Sequence, residues 1–511
     1  MFRQVVAFVV AAGLLLAVVV LAGHAFAEGP MNEPPAPGGY HTPDSLIVGV
    51  PYEDAGGAQD AGVIDLISGR PGDGLMDYMN VYFSQTSESG AIEQNDRYGA
   101  AVAAGDFDHN GVYDIAIGVP GEDSAAGAID VIYRFPDASS EQALYKESGI
   151  VTSTSAGDEF GAAVAVGDFN GDGIDDLAIG APGRNNNDGA VFILFGDTEI
   201  GLQGESPRQF SGMDQSQFGA ALAVADFDGD DIDDLAVGAP QADTSSLFLP
   251  NRSGLVRVIY GPLSSGMAFK HDWTQSGTGQ GASEAGDEFG ATLVAADFNG
   301  DGHPDLAMGA PGEDKGTTED TGAVNILYND GDDLSATGAQ VWFVGMDREG
   351  DRSGDTLAAG DFNADGKDDL AIGTPYEDDL NVVPAMVDAG RVDVFFGTSH
   401  GVTNQGAVTF GPTNERFEAL GYALVAGDFN GDKYADLVMG VPGFSGSGRD
   451  SDGAIMIEYW RNNGFGPATI YTQKELSNVA AEDLDGFGYA LAVLPPTYPT
   501  HFTTYAPMIL R

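Results

Sequence analysis

Phe160-Gly-Ala-Ala-Val-Ala-Val-Gly-Asp-Phe-Asn-Gly-Asp-Gly-Ile-Asp-Asp-Leu-Ala-Ile-Gly-Ala-Pro182 is two short apolar runs around one acidic loop, Asp168 to Asp176. Loop positions 1, 3, 5 and 9 carry oxygen-bearing side chains. A hard cation with many oxygen ligands needs that alternation, and calcium is the common one. The same nine-residue loop is written six times. Position 1 is Asp106, Asp168, Asp226, Asp297, Asp361 and Asp428. Position 3 is Asp108, Asn170, Asp228, Asn299, Asn363 and Asn430. Position 5 is Asn110, Asp172, Asp230, Asp301, Asp365 and Asp432, and position 9 is Asp114, Asp176, Asp234, Asp305, Asp369 and Asp436. The reading assigns side-chain ligands to these four positions. It assigns a main-chain carbonyl ligand to position 7, held by Val112, Ile174, Ile232, His303, Lys367 and Tyr434. About six calcium ions per chain are expected, as structural braces.

The loops are not equivalent. Glycine at position 6 permits a left-handed turn. The third loop has Asp231 there, and the sixth has Lys433. The third loop carries the most ligand charge. The sixth adds backbone strain and a positive charge beside the ion, so it is expected to be the weakest site.

Working outward, each loop lies between runs of strand length, bracketed by glycine and proline and too short for typical helices. The runs open at Tyr98, Phe160, Phe218, Phe289, Ser353, Leu420 and Phe487, and they end at Pro51, Pro120, Pro182, Pro240, Pro311, Pro375 and Pro442. Openings are 58 to 71 residues apart. A third apolar run follows in most units, as in Ala190–Phe195. Each unit is therefore a small antiparallel sheet that must stack on its neighbours to bury its faces. Radial stacking gives a propeller with about four strands per blade. Phe487–Val493 opens a unit that has no loop after it, and Asp44–Pro51 ends a unit that has no opening before it. Joining them in one blade closes the ring and removes two sheet edges. The fold expected is all-β, a seven-bladed propeller over residues 44–493.

These units resemble FG-GAP repeats, the blades of the integrin alpha-chain propeller and of related extracellular proteins. The resemblance covers roughly residues 44–493 and rests on the six loops in register with their flanking Phe-Gly and Gly-Ala-Pro elements. Ser353-Gly354 and Leu420-Gly421 depart from Phe-Gly, which bears on local packing. The resemblance implies calcium in the loops, a secreted or cell-surface location, and an adhesion or binding role toward an extracellular protein or glycan. It also implies a ligand face opposite the calcium loops. The longer segments Gln241–Ser253 and Glu377–Gly390 are the expected partner loops.

Composition bounds the rest. The 511 residues include 74 glycines, no cysteine, and a formal net charge of −57. The six loops hold 23 aspartates, and six divalent ions would leave the chain strongly acidic. Such a surface argues against nucleic acid and against anionic lipid as partners. Arg3, the apolar run Val5–Leu21 and Ala25-Phe26-Ala27 read as an export signal over residues 1–27, with an uncleaved anchor as the alternative. Residues 28–43 read as a Pro/Gly-rich linker, and residues 494–511 as a tail of unassigned role. Without disulfides, an exported chain needs another brace, and the loops supply one.

Catalytic features are sparse, and no catalytic residue is assigned. Gly397-Thr-Ser-His-Gly401 matches the Gly-x-Ser-x-Gly pattern, but Gly196–Gly201 and Gly261–Gly266 stand at the same place in other units, so it reads as a repeated turn. The seven histidines show no zinc spacing. The alternative to a binding module is a hydrolase or hydrolase subunit, because FG-GAP repeats also follow a zinc phospholipase domain in enzymes that cleave glycosylphosphatidylinositol anchors. Only about 16 residues separate the expected cleavage site from Asp44, which is short for such a domain.

Overall fold

The computed structural model describes residues 42–496 apart from segments 77–80, 86–91, 134–140, 147–154, 205–206, 245–251, 265–267, 280, 332, 346–347, 379–387, 412–418, 445–452, 462–463 and 473–485. The expected export signal, most of the linker and most of the tail lie outside the described residues, as do parts of both expected partner loops. Among the described residues, no helix is long and apolar enough to cross a membrane.

Seven four-stranded antiparallel sheets make the blades. Blade 2 shows the plan. Ala163–Gly167 pairs with Asp176–Ala181, which pairs with Ala190–Leu194, which pairs with Arg208–Ser211. The acidic loop joins the first two strands, and its ninth residue opens the second. Both central strands are wholly buried, which accounts for their near-continuous apolar character.

The chain ends close the ring. Ser45–Val50 pairs with Ala490–Leu494 on one side, Leu46 opposite Val493, and with Val63–Ile67 on the other, Leu46 opposite Ile67. The seventh blade is therefore built from both ends of the chain, as the unmatched half-units require. The first strands of all seven blades touch in an unbroken circuit, and Ala490–Leu494 contacts both Val102–Gly105 and Leu424–Gly427. These strands line the axis. They are rich in buried alanine, such as Ala163, Ala165, Ala221 and Ala223. Seven strands converging on one axis leave room for little more.

The repeated glycines are needed for contact between blades. A Cβ on Gly118 would lie 2.1 Å from the carbonyl oxygen of Gly161 in the next blade. Gly161 itself has φ +91°, and its N–H donates to Gly180 O at 3.0 Å. The Gly-Ala-Pro glycine of one blade thus nests on the Phe-Gly glycine of the next. The two departures keep this geometry: Gly354 and Gly421 both have φ +82°, and Ser353 and Leu420 are fully buried. Ser353 Oγ accepts from Thr374 Oγ1 at 3.3 Å, so the polar replacement is satisfied.

Candidate metal centres

All six loops follow one hydrogen-bond scheme, clearest in the second. Asp168 Oδ1 accepts from the N–H groups of Gly171 (2.7 Å) and Asp172 (3.1 Å), and its Oδ2 accepts from Gly173 N (2.7 Å). The first aspartate therefore curls the loop around its own carboxylate. Asp172 Oδ1 accepts from Ile174 N at 3.0 Å, a local turn that fixes the position-5 side chain. Asp176 Oδ2 accepts from Phe169 N at 3.0 Å, and its Oδ1 accepts from Gly196 N at 2.8 Å. The ninth residue thus ties the loop to the end of the third strand. The position-2 phenylalanines, Phe107, Phe169, Phe227, Phe298, Phe362 and Phe429, are fully buried and anchor the loops in the core.

Left-handed backbone occurs twice per loop. Position 6 has φ +82° at Gly173, +64° at Asp231 and +76° at Lys433. The third and sixth loops therefore adopt the turn without glycine, and the strain expected at Lys433 is present. Position 4 is also left-handed, at His109 (φ +54°) and Ala364 (φ +52°), where glycine stands in the other loops. The sequence pattern carried that requirement in the recurrent Gly171, Gly229, Gly300 and Gly431.

The structure brings positions 1, 3 and 9 together. Carboxylate oxygens of Asp106, Asp108 and Asp114 lie within 4.8 Å of one another, and so do those of Asp226, Asp228 and Asp234. Position-5 side chains such as Asp230 stand beside these groups, aimed at the N–H of position 7 at 3.0 Å. In the four loops with asparagine at position 3, the amide occupies the same place. Its Nδ2 is 3.4 Å from Asp176 Oδ1 in loop 2 and 3.1 Å from Asp436 Oδ1 in loop 6. Position 7 contributes its N–H to the turn at Val112, Ile174, Ile232, His303, Lys367 and Tyr434.

Two observations test whether a hard cation fits. Burial, reinforced by the other loop carboxylates, pushes Asp176, Asp234, Asp305 and Asp369 up to about 8 and Asp436 up to about 9. At neutral pH such a carboxylate must hold a proton or meet a positive charge. In loop 6, Asn430 Oδ1 is buried with no hydrogen-bond partner among the described residues. An oxygen so placed, beside crowded carboxylates, matches the donor set of a calcium ion. When bound, the ion would supply charge neutralisation and cross-linking of the loop. The chain's own part is to present the oxygens of positions 1, 3, 5 and 9.

The loops are also joined to each other. Asp106 N donates to Asp175 Oδ2 of the next blade at 2.7 Å. Asp168 N donates to Asp233 Oδ2 at 2.8 Å, and Asp297 N donates to Asp368 Oδ2 at 3.0 Å. Position 8 of one loop thus holds the backbone of the first aspartate in the preceding loop. The bracket is absent where position 8 is Pro304 or Ala435. Ala435 keeps only the main-chain half, its N–H donating to Asp361 O at 3.2 Å. The fifth loop has a further feature: Lys367 Nζ lies 3.1 Å from Asp365 Oδ1, a cation already resting on a position-5 carboxylate.

Gly397–Gly401 is a turn between the strands Arg391–Phe396 and Thr403–Phe410, closed by Gly401 N donating to Thr398 O at 2.8 Å. Ser399 Oγ and His400 Nδ1 are 3.1 Å apart and both residues are exposed. No helix follows, so this is not a nucleophile elbow.

Comparison with known proteins agrees with this geometry. The FG-GAP repeat model matches residues 98–132, 160–194, 218–259, 289–327, 353–410 and 420–457. This is an FG-GAP repeat protein. Each matched segment of this FG-GAP protein runs from the buried residue that opens a blade, through the acidic loop, into the third or fourth strand. It is 36% identical over 162 residues to human (Homo sapiens) phosphatidylinositol-glycan-specific phospholipase D, covering 30% of this chain and 18% of that protein. It is 31% identical over 248 residues to integrin alpha-PS2 of Drosophila melanogaster, covering 46% of this chain and 17% of that one. The matched region thus spans about a fifth of the length of these relatives. Among solved structures, the Dos1 propeller is similar at 12% identity and a TM-score of 0.34, covering 74% of this chain and 86% of that one.

Proposed function

We propose that this protein is an exported, calcium-braced propeller that acts as an extracellular or cell-surface binding module for a protein or glycan partner. The observation that carries the reading is the division of labour between the two ends of the blades. At one end, the loop aspartates are committed to architecture: they curl their own loops, cap the third strands and clamp neighbouring loops. The other end carries the connections between second and third strands, free to vary on a common scaffold. The likeness to an integrin alpha chain supports the same division, with calcium at the first end and recognition at the second. The net charge of −57 steers the reading away from nucleic acid and anionic lipid.

A second reading is a role attached to a hydrolase, and the 36% identity to phosphatidylinositol-glycan-specific phospholipase D favours it. One experiment separates the two. The purified protein is offered to intact cells, to extracellular glycans and to secreted proteins, with and without calcium, and is assayed in parallel on ester, phosphodiester and glycoside substrates. Calcium-dependent retention without turnover is the expected result. Turnover by the purified chain would replace the binding reading.

A further inference from the structure

The mouth of the central axis, at the end of the blades away from the acidic loops, is asymmetric. The residue before each opening glycine pair is left-handed all round: Arg97, Glu159, Gln217, Glu288 and Arg352 have φ between +54° and +57°, and Ala419 has +61°. For residues other than glycine this conformation is strained and persists only where neighbours over-determine it. Here cross-blade hydrogen bonds do so, as when Gln217 N donates to Asn187 O at 2.8 Å and Arg352 N donates to Asp320 O at 3.1 Å. The consequence is that five successive blades each direct one long polar side chain to the mouth. The sixth has Ala419 and the seventh Gly486.

The residue after the same glycine divides the ring a second way. Blades 6 and 7 have Tyr422 and Tyr489, with ring centroids 4.8 Å apart, and Tyr52 packs on Tyr489 at 5.3 Å. Blades 2, 3 and 4 have Ala162, Ala220 and Ala291 at that position. Where the tyrosines are replaced by alanine, the mouth opens into a cavity of about 300 Å³. That is at the lower end of the volumes of small-molecule sites. Its floor is these three alanines with Pro120, Pro182 and Pro240, and its rim is the five left-handed side chains with Gln241.

The rim chemistry is balanced. Arg97 faces Glu159 at 3.7 Å, Arg352 pairs with Glu288, and Gln241 Nε2 donates to Glu288 Oε1 at 3.0 Å. Gln217 comes between the two ion pairs in blade order, half-buried, and its side-chain amide makes no hydrogen bond among the described residues. Arg352 also lies 3.6 Å from the buried Asp355, so each guanidinium is already matched by a carboxylate and neither is left to select an anion. What they offer is a ring of planar, paired donors and acceptors over a floor of C–H groups.

We infer that this cavity is a binding site for a neutral saccharide unit. Vicinal hydroxyls donate and accept at once, which matches neighbouring carboxylate, guanidinium and amide groups. The C–H face of a sugar ring matches alanine and proline. An anionic ligand would meet two carboxylates on a chain of net charge −57, and a cation would meet two arginines. The inference rests on the binding-module reading and narrows it from protein or glycan to glycan.

Saturation-transfer NMR tests it, using the full chain in calcium with glucose, galactose, mannose and N-acetylglucosamine, and with glucuronate as the charged comparison. Transfer from at least one neutral sugar is expected, with none or less from glucuronate. Ala220→Tyr places in blade 3 the residue that blades 6 and 7 carry, and it should abolish transfer while leaving the calcium-dependent melting temperature unchanged. Gln217→Ala serves if Ala220→Tyr does not fold, and should reduce transfer severalfold. No transfer from any neutral sugar, stronger transfer from glucuronate, or transfer unchanged in the folded variants would overturn the inference. Calcium-dependent retention on enzymatically deglycosylated cells together with a silent sugar panel would overturn it and leave the binding-module reading standing.

Discussion

Asp44 and Asp428 hold each other by two hydrogen bonds: Asp428 N donates to Asp44 Oδ2 at 2.8 Å, and Asp44 N donates to Asp428 O at 2.9 Å. Asp428 opens the last acidic loop, and Asp44 immediately precedes the strand that closes the ring. Asp44 stands where Asp175, Asp233 and Asp368 stand in other blades, so it is the eighth position of a loop whose remainder the seventh blade lacks. Closure and the metal loops therefore share one structural device. Asp44→Ala removes a charged acceptor whose contribution is about 1.5–3 kcal/mol. The expected outcome is a lower melting temperature and weaker metal binding at the sixth loop, read by differential scanning calorimetry and by calcium titration.

The same bracket couples neighbouring sites. Asp175 is not among the assigned ligands, yet it holds the backbone of Asp106. Asp175→Ala should therefore weaken the first loop by about 10–100-fold, the usual cost of losing a group that orients a ligand. Titration calorimetry of this variant should show the same number of sites with one weakened. Asp106→Ala in the same background should remove the weakened site. Loss of the second loop's own site in Asp175→Ala would show instead that Asp175 binds the ion directly.

Calcium removal should soften the whole molecule. With a dissociation constant of about 10⁻⁴ M, as in extracellular modules, calcium at about 1–10 mM adds roughly 1.4–2.7 kcal/mol per site. Over about six sites that is comparable with the entire stability of an ordinary domain. Chelation should lower the melting temperature sharply. A melting curve indifferent to chelator would mean the loops are bare turns.

Two lysines should grade the sites. Lys433 holds φ +76° at a position that favours glycine, and Lys367 Nζ rests on Asp365. Lys433→Gly relieves about 1–2 kcal/mol of backbone strain and a nearby positive charge. It should strengthen the sixth site. Lys367→Ala should strengthen the fifth. Stepwise titration of each variant against the parent checks both, and an unchanged weakest site in Lys433→Gly would locate the weakness elsewhere.

Much of this was readable in the sequence because the residues concerned act within their own blade. The alternation from Asp168 to Asp176, the Phe-Gly and Gly-Ala-Pro brackets, and the unmatched half-units at Asp44 and Phe487 all report local geometry or simple counting. What was not readable acts between blades. Asp175 looked like part of its own loop, and only the structure shows it serving Asp106. Arg184 and Asp158, buried and 3.3 Å apart, are separated by the strand pair that contains a loop. The alanines at 162, 220 and 291 look like ordinary small residues until Tyr422 and Tyr489 are seen at the equivalent places around the axis.

Buried Asp65 gives a pH dependence independent of the loops. It lies on the third strand of the seventh blade, fully buried, and neither carboxylate oxygen has a hydrogen-bond partner among the described residues. Burial pushes it from 3.8 up to about 7. The folded state keeps the proton over this window while the unfolded state has lost it. Its own contribution to stability is therefore greatest below about pH 4, falls by about 1.4 kcal/mol per pH unit up to about 7, and is level above. Asp65→Asn should make the profile shallower between about pH 4 and 7 by this one group's share and raise stability at pH 8 relative to the parent. Chemical denaturation at several pH values in saturating calcium measures it, and parallel pH profiles for the two proteins would exclude Asp65 as the cause.

Closure itself can be tested at one atom. Gly49 lies on Ser45–Val50, the strand that completes the ring, and a Cβ there would sit 2.0 Å from Gly99 O and 2.7 Å from Ala490 Cβ. Gly118, Gly180, Gly238, Gly309, Gly373 and Gly440 make the same contact at the other six blade junctions. Gly49→Val forces the seventh blade away from the first, and the carbonyl it strikes is backbone that cannot swing aside. The cost should exceed the roughly 1–3 kcal/mol of ordinary overpacking. Deleting residues 44–54 goes further: it leaves Ala490–Leu494 without its partner and exposes a sheet edge. The expected results are a large fall in melting temperature for Gly49→Val, and aggregation or loss of cooperative unfolding for the deletion. Gly180→Val should be comparably destabilising, since the ring transmits strain alike at every junction. A deletion variant that remained soluble and unfolded cooperatively would mean that six blades hold together without closure.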